Sequence, residues 1–314
     1  MRKNPALETL VRNRRRMASH LHHAALGSFG LVCLTLILVL MALVYLRGWI
    51  SLHSNALTVP SIWPAFSFLA GLLLIWVAAA SPIAALDHEL LTVHMLQHLL
   101  LMTIAPPLIW LGAPIEHLLH GLPQRFIEKV LVPLQYSGAA KKLGKLLIRP
   151  RLCWLAACAT LVGWHIPIFF ALGMQSVAWH LFEQLSFLAT GLLFWWPVVQ
   201  PSAGASHHDL SMILYLFFAT LPCDILSGFL AFSDRVVYPM YFSSSHLLGF
   251  PPLVDQQCAA ALMWTCVTFV YLLAAAILTM RILSPRRRSQ VELVQSKLSG
   301  AGIPQTVSHG LEAI

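Results

Sequence analysis

The chain has 314 residues, of which 58% are apolar and only 10% charged, against about 25% charged in soluble domains. Its mean hydropathy of +0.74 marks an integral membrane protein whose surroundings are the lipid bilayer. The formal charge of +8 does not indicate nucleic acid as a partner, because the Lys and Arg residues fall in a few blocks between apolar segments, as loops on the cytoplasmic side do. Cys33, Cys153, Cys158, Cys223, Cys258 and Cys266 lie in or beside apolar segments without a C-x-x-C pair. They read as small packed hydrophobes rather than as a disulfide framework.

In chain order, residues 1–27 form a polar tail with Arg12, Arg14, Arg15 and Arg16 followed by His20, His22 and His23. The apolar run 28–46 is too long for a signal-peptide core and lacks a small-residue cleavage site, so it is expected to be the first membrane span. The second covers 63–80. Asp87 is placed to cap the third, with Glu89 in its first turn. That third stretch, 90–112, is long enough to cross a bilayer, and the Pro106-Pro107 pair is expected to kink it or end its regular part, since neither proline carries an N–H. Residues 113–151 hold Arg125, Lys129, Lys141, Lys142, Lys145, Arg149 and Arg151, consistent with an amphipathic piece on the membrane surface. Further spans are expected over 152–172, 177–199, 210–231 and 258–283, with a looser segment of about 25 residues before the last. The prediction is an all-α, polytopic transmembrane bundle of about seven spans over 28–283, with a polar C-terminal tail over 284–314.

Alternating spans give the chain two faces. Arg47, the 113–151 loop and the basic residues after the last span share one of them, which the positive-inside rule assigns to the cytoplasm. The basic N-terminal tail then falls on the opposite side. Either the tail is an exception or the number of spans before residue 112 is off by one. Whatever the absolute orientation, the start of the third span, the end of the fourth, the start of the fifth, the end of the sixth and the start of the seventh come to one face. At 1.5 Å per residue, His94 and His98 lie about 6–12 Å below that face, Glu183 about 8 Å, and His165, Asp224 and Met263 about 10 Å.

Polar side chains within a span are functional hypotheses by default, because their burial needs a partner, a ligand or a proton path. His94 and His98, four residues apart, project from one helix face. With His165 and His180 they make four imidazoles in one layer, a candidate transition-metal site. Imidazole suits copper, iron or zinc, and thioethers such as Met95 and Met263 favour Cu(I). Glu183, Asp224 and Asp255 are candidates to orient the rings from behind. Each residue also has a plain packing role. His165 could satisfy a carbonyl freed by Pro167. His180 could be an interface residue bonded to Glu183 and Gln184, three and four positions on. Asp224 could pair with Arg235. Asp255 reads first as the cap of the seventh span. Met95 points about 100° away from His94 and reads as packing. His207-His208-Asp209 falls on the other face, Asp209 as a cap. No H-E-x-x-H, zinc-ribbon or EF-hand signature is present.

The motifs HMLQH, LLLMTIAPPLIWLGAP, WHIP, EQLSFLATGLLFWWPV and PLVDQQCAAALMW, in that order over about residues 60–283, resemble the polytopic CtaG family of cytochrome c oxidase assembly factors linked to caa-type oxidases. The resemblance implies a non-enzymatic, multi-pass protein of the bacterial plasma membrane that matures a haem–copper oxidase, with subunits of that oxidase and a copper donor protein as partners. The family's motif histidines correspond to His94, His98, His165 and His180, and its acidic-amide motif to Asp255, Gln256 and Gln257. Copper is the expected metal. Two other readings of the same residues are a haem protein or oxidoreductase, in which histidines from different helices clamp a haem, and a copper permease. The permease needs polar residues continuing through the midplane, and the inner halves of the third to fifth spans hold few.

Overall fold

A computed structural model of the chain describes residues 30–54, 61–138, 149–200, 206–242 and 251–283, with positions 142, 144, 146 and 249. The basic tail with its three histidines and the C-terminal tail lie outside the described residues, as do the side chains of His207, His208 and Asp209. Among the described residues, six helices are long and apolar enough to cross a membrane, or seven if one bent pair is a single span. These are α1 (Gly30–His53), α2 (Trp63–Ala80), α3 (Leu91–Leu111), the bent pair α5 (Pro150–His165) and α6 (Pro167–Gln175), α7 (Val177–Val199), α8 (Ser206–Ala231) and α9 (Pro252–Leu283). A short helix, α4 (Pro114–Gly121), opens the basic loop and is followed by further helical turns over 124–136. Among the described residues, three helices of membrane-spanning length precede residue 112, as the hydropathy predicts. All six cysteines are free.

The most buried helix is α3, packed between α2, α7 and α9. Apolar side chains of α1, α8 and α9, such as Leu36, Ile225, Phe229 and Phe269, point outward, as lipid-facing positions require. Small residues let the backbones approach. A Cβ on Gly71 would meet Ile109 of α3 at 2.7 Å, and one on Gly191 would meet the Met102 backbone at 2.8 Å.

The Pro106-Pro107 pair does not end α3. The helix widens instead into a π-helical turn over Leu100–Ile104 and continues to Leu111. Pro106 cannot donate to the Met102 carbonyl four residues back, and the indole Nε1 of Trp195 donates to that oxygen at 3.2 Å. A neighbouring helix thus satisfies the backbone group that proline frees, as hydrocarbon surroundings demand. At the end of α3, Ala113 adopts a left-handed conformation with φ 46°, which turns the chain into α4.

The fourth span is likewise not straight. Between His165 and Pro167 the helix axis bends by 79°, because the residue before a proline avoids the helical region and Ile166 takes ψ 127°. Tyr238 donates its O–H to the His165 carbonyl at this break, at 2.9 Å. The predicted looser segment contributes structure of its own: Tyr238 stacks on Phe170 at 4.0 Å, and Tyr241 donates to the Asp87 carbonyl at 2.9 Å. Burial raises the pKa of both phenols, so both keep the proton they donate.

Candidate metal site in the helical bundle

Asp255 and Asp87 exchange the roles that their positions in sequence suggest. Asp255, in the first turn of α9, does not cap its own helix. Its carboxylate accepts from the backbone N–H of Leu91 at 2.6 Å and of Thr92 at 3.2 Å, and from the Thr92 hydroxyl at 2.6 Å. It therefore caps α3 from across the bundle, holding the helix that carries His94 and His98. The next residue, Gln256, accepts from Val237 N–H and donates to the carbonyls of Leu230 and Arg235, tying down the segment that bears Tyr238. Asp87 does not cap α3, whose N-cap residue, Leu90, makes no side-chain capping bond of its own. The Asp87 carboxylate turns instead to His180, with Oδ2 3.3 Å from Nε2.

Glu183 of α7 faces α3. One carboxylate oxygen, Oε1, lies 3.5 Å from His94 Nε2 and 3.4 Å from His98 Nε2. The expected partner of His180 is thus the partner of the other two histidines, and of the two residues expected beside His180 only Gln184 reaches it, at 3.3 Å. His94, His98 and Glu183 are all buried. Among the described residues, neither ring nitrogen of His94 or His98 and neither carboxylate oxygen of Glu183 makes a hydrogen bond of sound geometry. Polar atoms buried in an apolar interior cost about 1–3 kcal/mol each when unpaired, and a carboxylate costs more. Three such residues, with one donor atom from each mutually within 4.8 Å, have the N,N,O donor set of a transition-metal site. Aromatic rings wall it: His98 stacks on Phe187 at 4.0 Å, and Phe170 lies 4.9 Å from His94. Gly173 of α6 closes it, since a Cβ there would come within 2.5 Å of Glu183 Oε2.

The four histidines expected in one cluster form a row. The His180 ring lies 5.7 Å from His94, His94 lies 4.4 Å from His98, and His98 lies 6.1 Å from His165. His165 does not serve a carbonyl freed by Pro167. Its Nδ1 donates to Leu161 O, one turn back in its own helix, at 2.7 Å. In the neutral ring this leaves the lone pair on Nε2, and Nε2 lies 3.2 Å from the Met95 sulfur. Met95 packs in the core, as its direction on the helix implies, and also places a thioether beside an imidazole. A cavity of about 30 Å³ adjoins the pair, lined by His98, Met102, Cys223 and Met263. Asp224 stands apart: no ion pair to Arg235 forms among the described residues, and its Oδ1 is buried without a hydrogen bond.

In sequence Glu183 reads beside His180, whereas the structure sets it against His94 and His98; His88, 3.8 Å from Asp87, and Gly173, against Glu183, are not among the residues the sequence singles out. The Asp87-His88 dipeptide, opening the third span on the face that carries His180, was the available signal, and it was masked by the preference of Asp for helix caps. The family profile described as cytochrome c oxidase caa3 assembly factor (Caa3_CtaG) matches residues 43–284. Comparison with curated proteins and with solved structures gives no match.

Proposed function

The chain belongs to the cytochrome c oxidase caa3 assembly factor family, and on that premise we propose that it holds a copper ion as cargo between His94, His98 and Glu183 and passes it to an apo-subunit of a haem–copper oxidase. The observation that carries this reading is the convergence of two imidazoles and one carboxylate, all buried and all without hydrogen bonds, on a point between α3 and α7. Neutral imidazole is the form that ligates metal, and a cation beside a buried carboxylate stabilises its charge. His165, Met95 and Met263 line the deeper end of the row, where a thioether favours the reduced ion. Asp255 serves by positioning, through the start of α3. The site faces the extracytoplasmic side of a bacterial plasma membrane, as the basic loop over 113–151 on the other face supports. The haem alternative is not favoured, because the cavity beside His98 and His165, about 30 Å³, admits little more than a water-sized particle and leaves no room for a porphyrin.

Metal analysis of the detergent-purified protein beside its His98→Ala variant tests the proposal, together with oxidase activity in membranes carrying each. Copper in the parent, its loss from the variant and a matching loss of oxidase activity are expected. A parent protein that holds no copper, with a variant that still supports the oxidase, overturns it.

A further inference from the structure

A second group of ligand-bearing side chains stands at the mouth of the histidine row. Asp87 and His88 lie in the connection between α2 and α3, and His180 lies in the first turns of α7. One donor atom from each falls within 4.8 Å of the others. Asp87 Oδ2 is 3.3 Å from His180 Nε2, Asp87 Oδ1 is 3.8 Å from His88 Nε2, and the two rings are 5.7 Å apart. The Asp87 carboxylate is only 5% exposed. Among the described residues, the two imidazoles are the only basic groups within ion-pair distance of it. Two imidazoles and one carboxylate facing one another at these distances offer a transition-metal ion two nitrogen donors and an oxygen donor.

Exposure grades along the row. The side chain of His88 is 55% exposed, that of His180 13% and that of His94 0%. His180 also stacks nearly parallel on His94, at 5.7 Å and 16°. Its position lets it belong to the outer group while touching the inner one.

We propose that Asp87, His88 and His180 form a second, outer metal site that captures a divalent transition-metal ion from solvent and lies next to the buried site it feeds. The donor set is one carboxylate and two imidazoles, with the exposed side left to water. This composition suits Cu²⁺ and Zn²⁺, of which Cu²⁺ binds more tightly. The inner site, walled by aromatic rings and close to thioethers, is the drier of the two. The proposal rests on the inner site being a metal site, and the two are separable by experiment.

The test is equilibrium loading of the full-length, detergent-purified, chelator-stripped protein with Cu²⁺, removal of free ion by gel filtration, and metal analysis. The parent protein is expected to retain two equivalents. His88 is exposed, so His88→Ala leaves the fold intact. Losing even an outer hydrogen-bonding partner weakens metal binding about 10- to 100-fold, so losing a ligand weakens the outer site by at least about 100-fold and leaves one equivalent. Asp87→Asn gives the same result. A double variant, His94→Ala with His98→Ala, retains one equivalent that disappears when His88→Ala is added. If the parent retains one ion that His98→Ala removes and neither His88→Ala nor Asp87→Asn affects, the outer site is refuted and the proposed function stands. If it retains one ion that His88→Ala removes and the double variant keeps, the outer site stands and the inner reading falls. A parent that retains none refutes both.

Discussion

Replacing Asp255 with Asn separates a positioning role from a ligand role. The native carboxylate accepts from two backbone amides at the start of α3 and from the Thr92 hydroxyl. In the Asn variant one oxygen still accepts from one amide, but the new NH₂ group faces the other, leaving a buried N–H unpaired at about 1–3 kcal/mol. The lost negative charge at a helix N-terminus adds about 0.3–1 kcal/mol. The Thr92 hydroxyl adds little, because the Asp255 carbonyl already lies 3.1 Å away as an alternative acceptor. The expected loss is therefore about 1–4 kcal/mol. At roughly 2 °C per kcal/mol for a chain of this size, that is a fall of about 3–8 °C in melting temperature. The assay is thermal unfolding of the purified protein, followed by tryptophan fluorescence or by precipitation, with and without copper. The destabilisation should be present in both states, while a folded variant at low temperature still loads metal. If Asp255→Asn unfolds at the parent temperature but loads no metal, the carboxylate acts as a ligand and the capping argument is wrong.

Three further outcomes follow from the same geometry. In Gly173→Ala the new methyl meets Glu183 Oε2 and displaces the carboxylate while every ligand residue stays in the chain, so copper affinity should fall about tenfold while helix propensity raises stability by up to about 1 kcal/mol; equal affinity in a competition titration would show that the carboxylate does not bind metal. Ala113→Gly removes the left-handed strain at φ 46° and should stabilise the detergent-solubilised protein by about 1 kcal/mol; an unchanged or lower melting temperature would contradict it. Protons compete with metal for the imidazole and carboxylate lone pairs, so affinity should fall as the pH drops. An affinity that does not change down to about pH 3.5, well below the ordinary imidazole range, would argue that the histidines are not the ligands.

Hydropathy alone located the helices because apolar runs of bilayer length can hardly do anything else: the bounds of α2 and α7 coincide with the predicted 63–80 and 177–199. The common face was legible for a related reason. Alternation of span direction is topological, and it carried His94, His98, His165, His180 and Glu183 to one end of the bundle without reference to any contact. What hydropathy could not give is the local backbone response to proline. Pro106-Pro107 widened α3 into a π turn because Trp195 lay close enough to take up the freed Met102 carbonyl, whereas Pro167 broke its helix by 79°, where Tyr238 meets the His165 carbonyl. The same residue type has different consequences, and in each case a donor from a distant part of the chain meets a carbonyl at the irregularity.

The exchange of roles between Asp87 and Asp255 has the same origin and explains why the histidines form a row rather than a cluster. A cap is inferred from sequence by proximity, yet the unpaired amides at the start of α3 donate to any carboxylate that reaches them, and Asp255 reaches them from 164 positions away. Once those amides are satisfied from α9, Asp87 is released to face His180. That draws His180 toward the surface, while Glu183, three residues further along α7, turns inward between His94 and His98. Three residues on a helix span about 300° of rotation, so His180 and Glu183 sit on adjacent faces and address different partners. The division into an outer and an inner group is therefore built into the spacing of α7, and the cross-bundle cap leaves Asp87 free to complete the outer one.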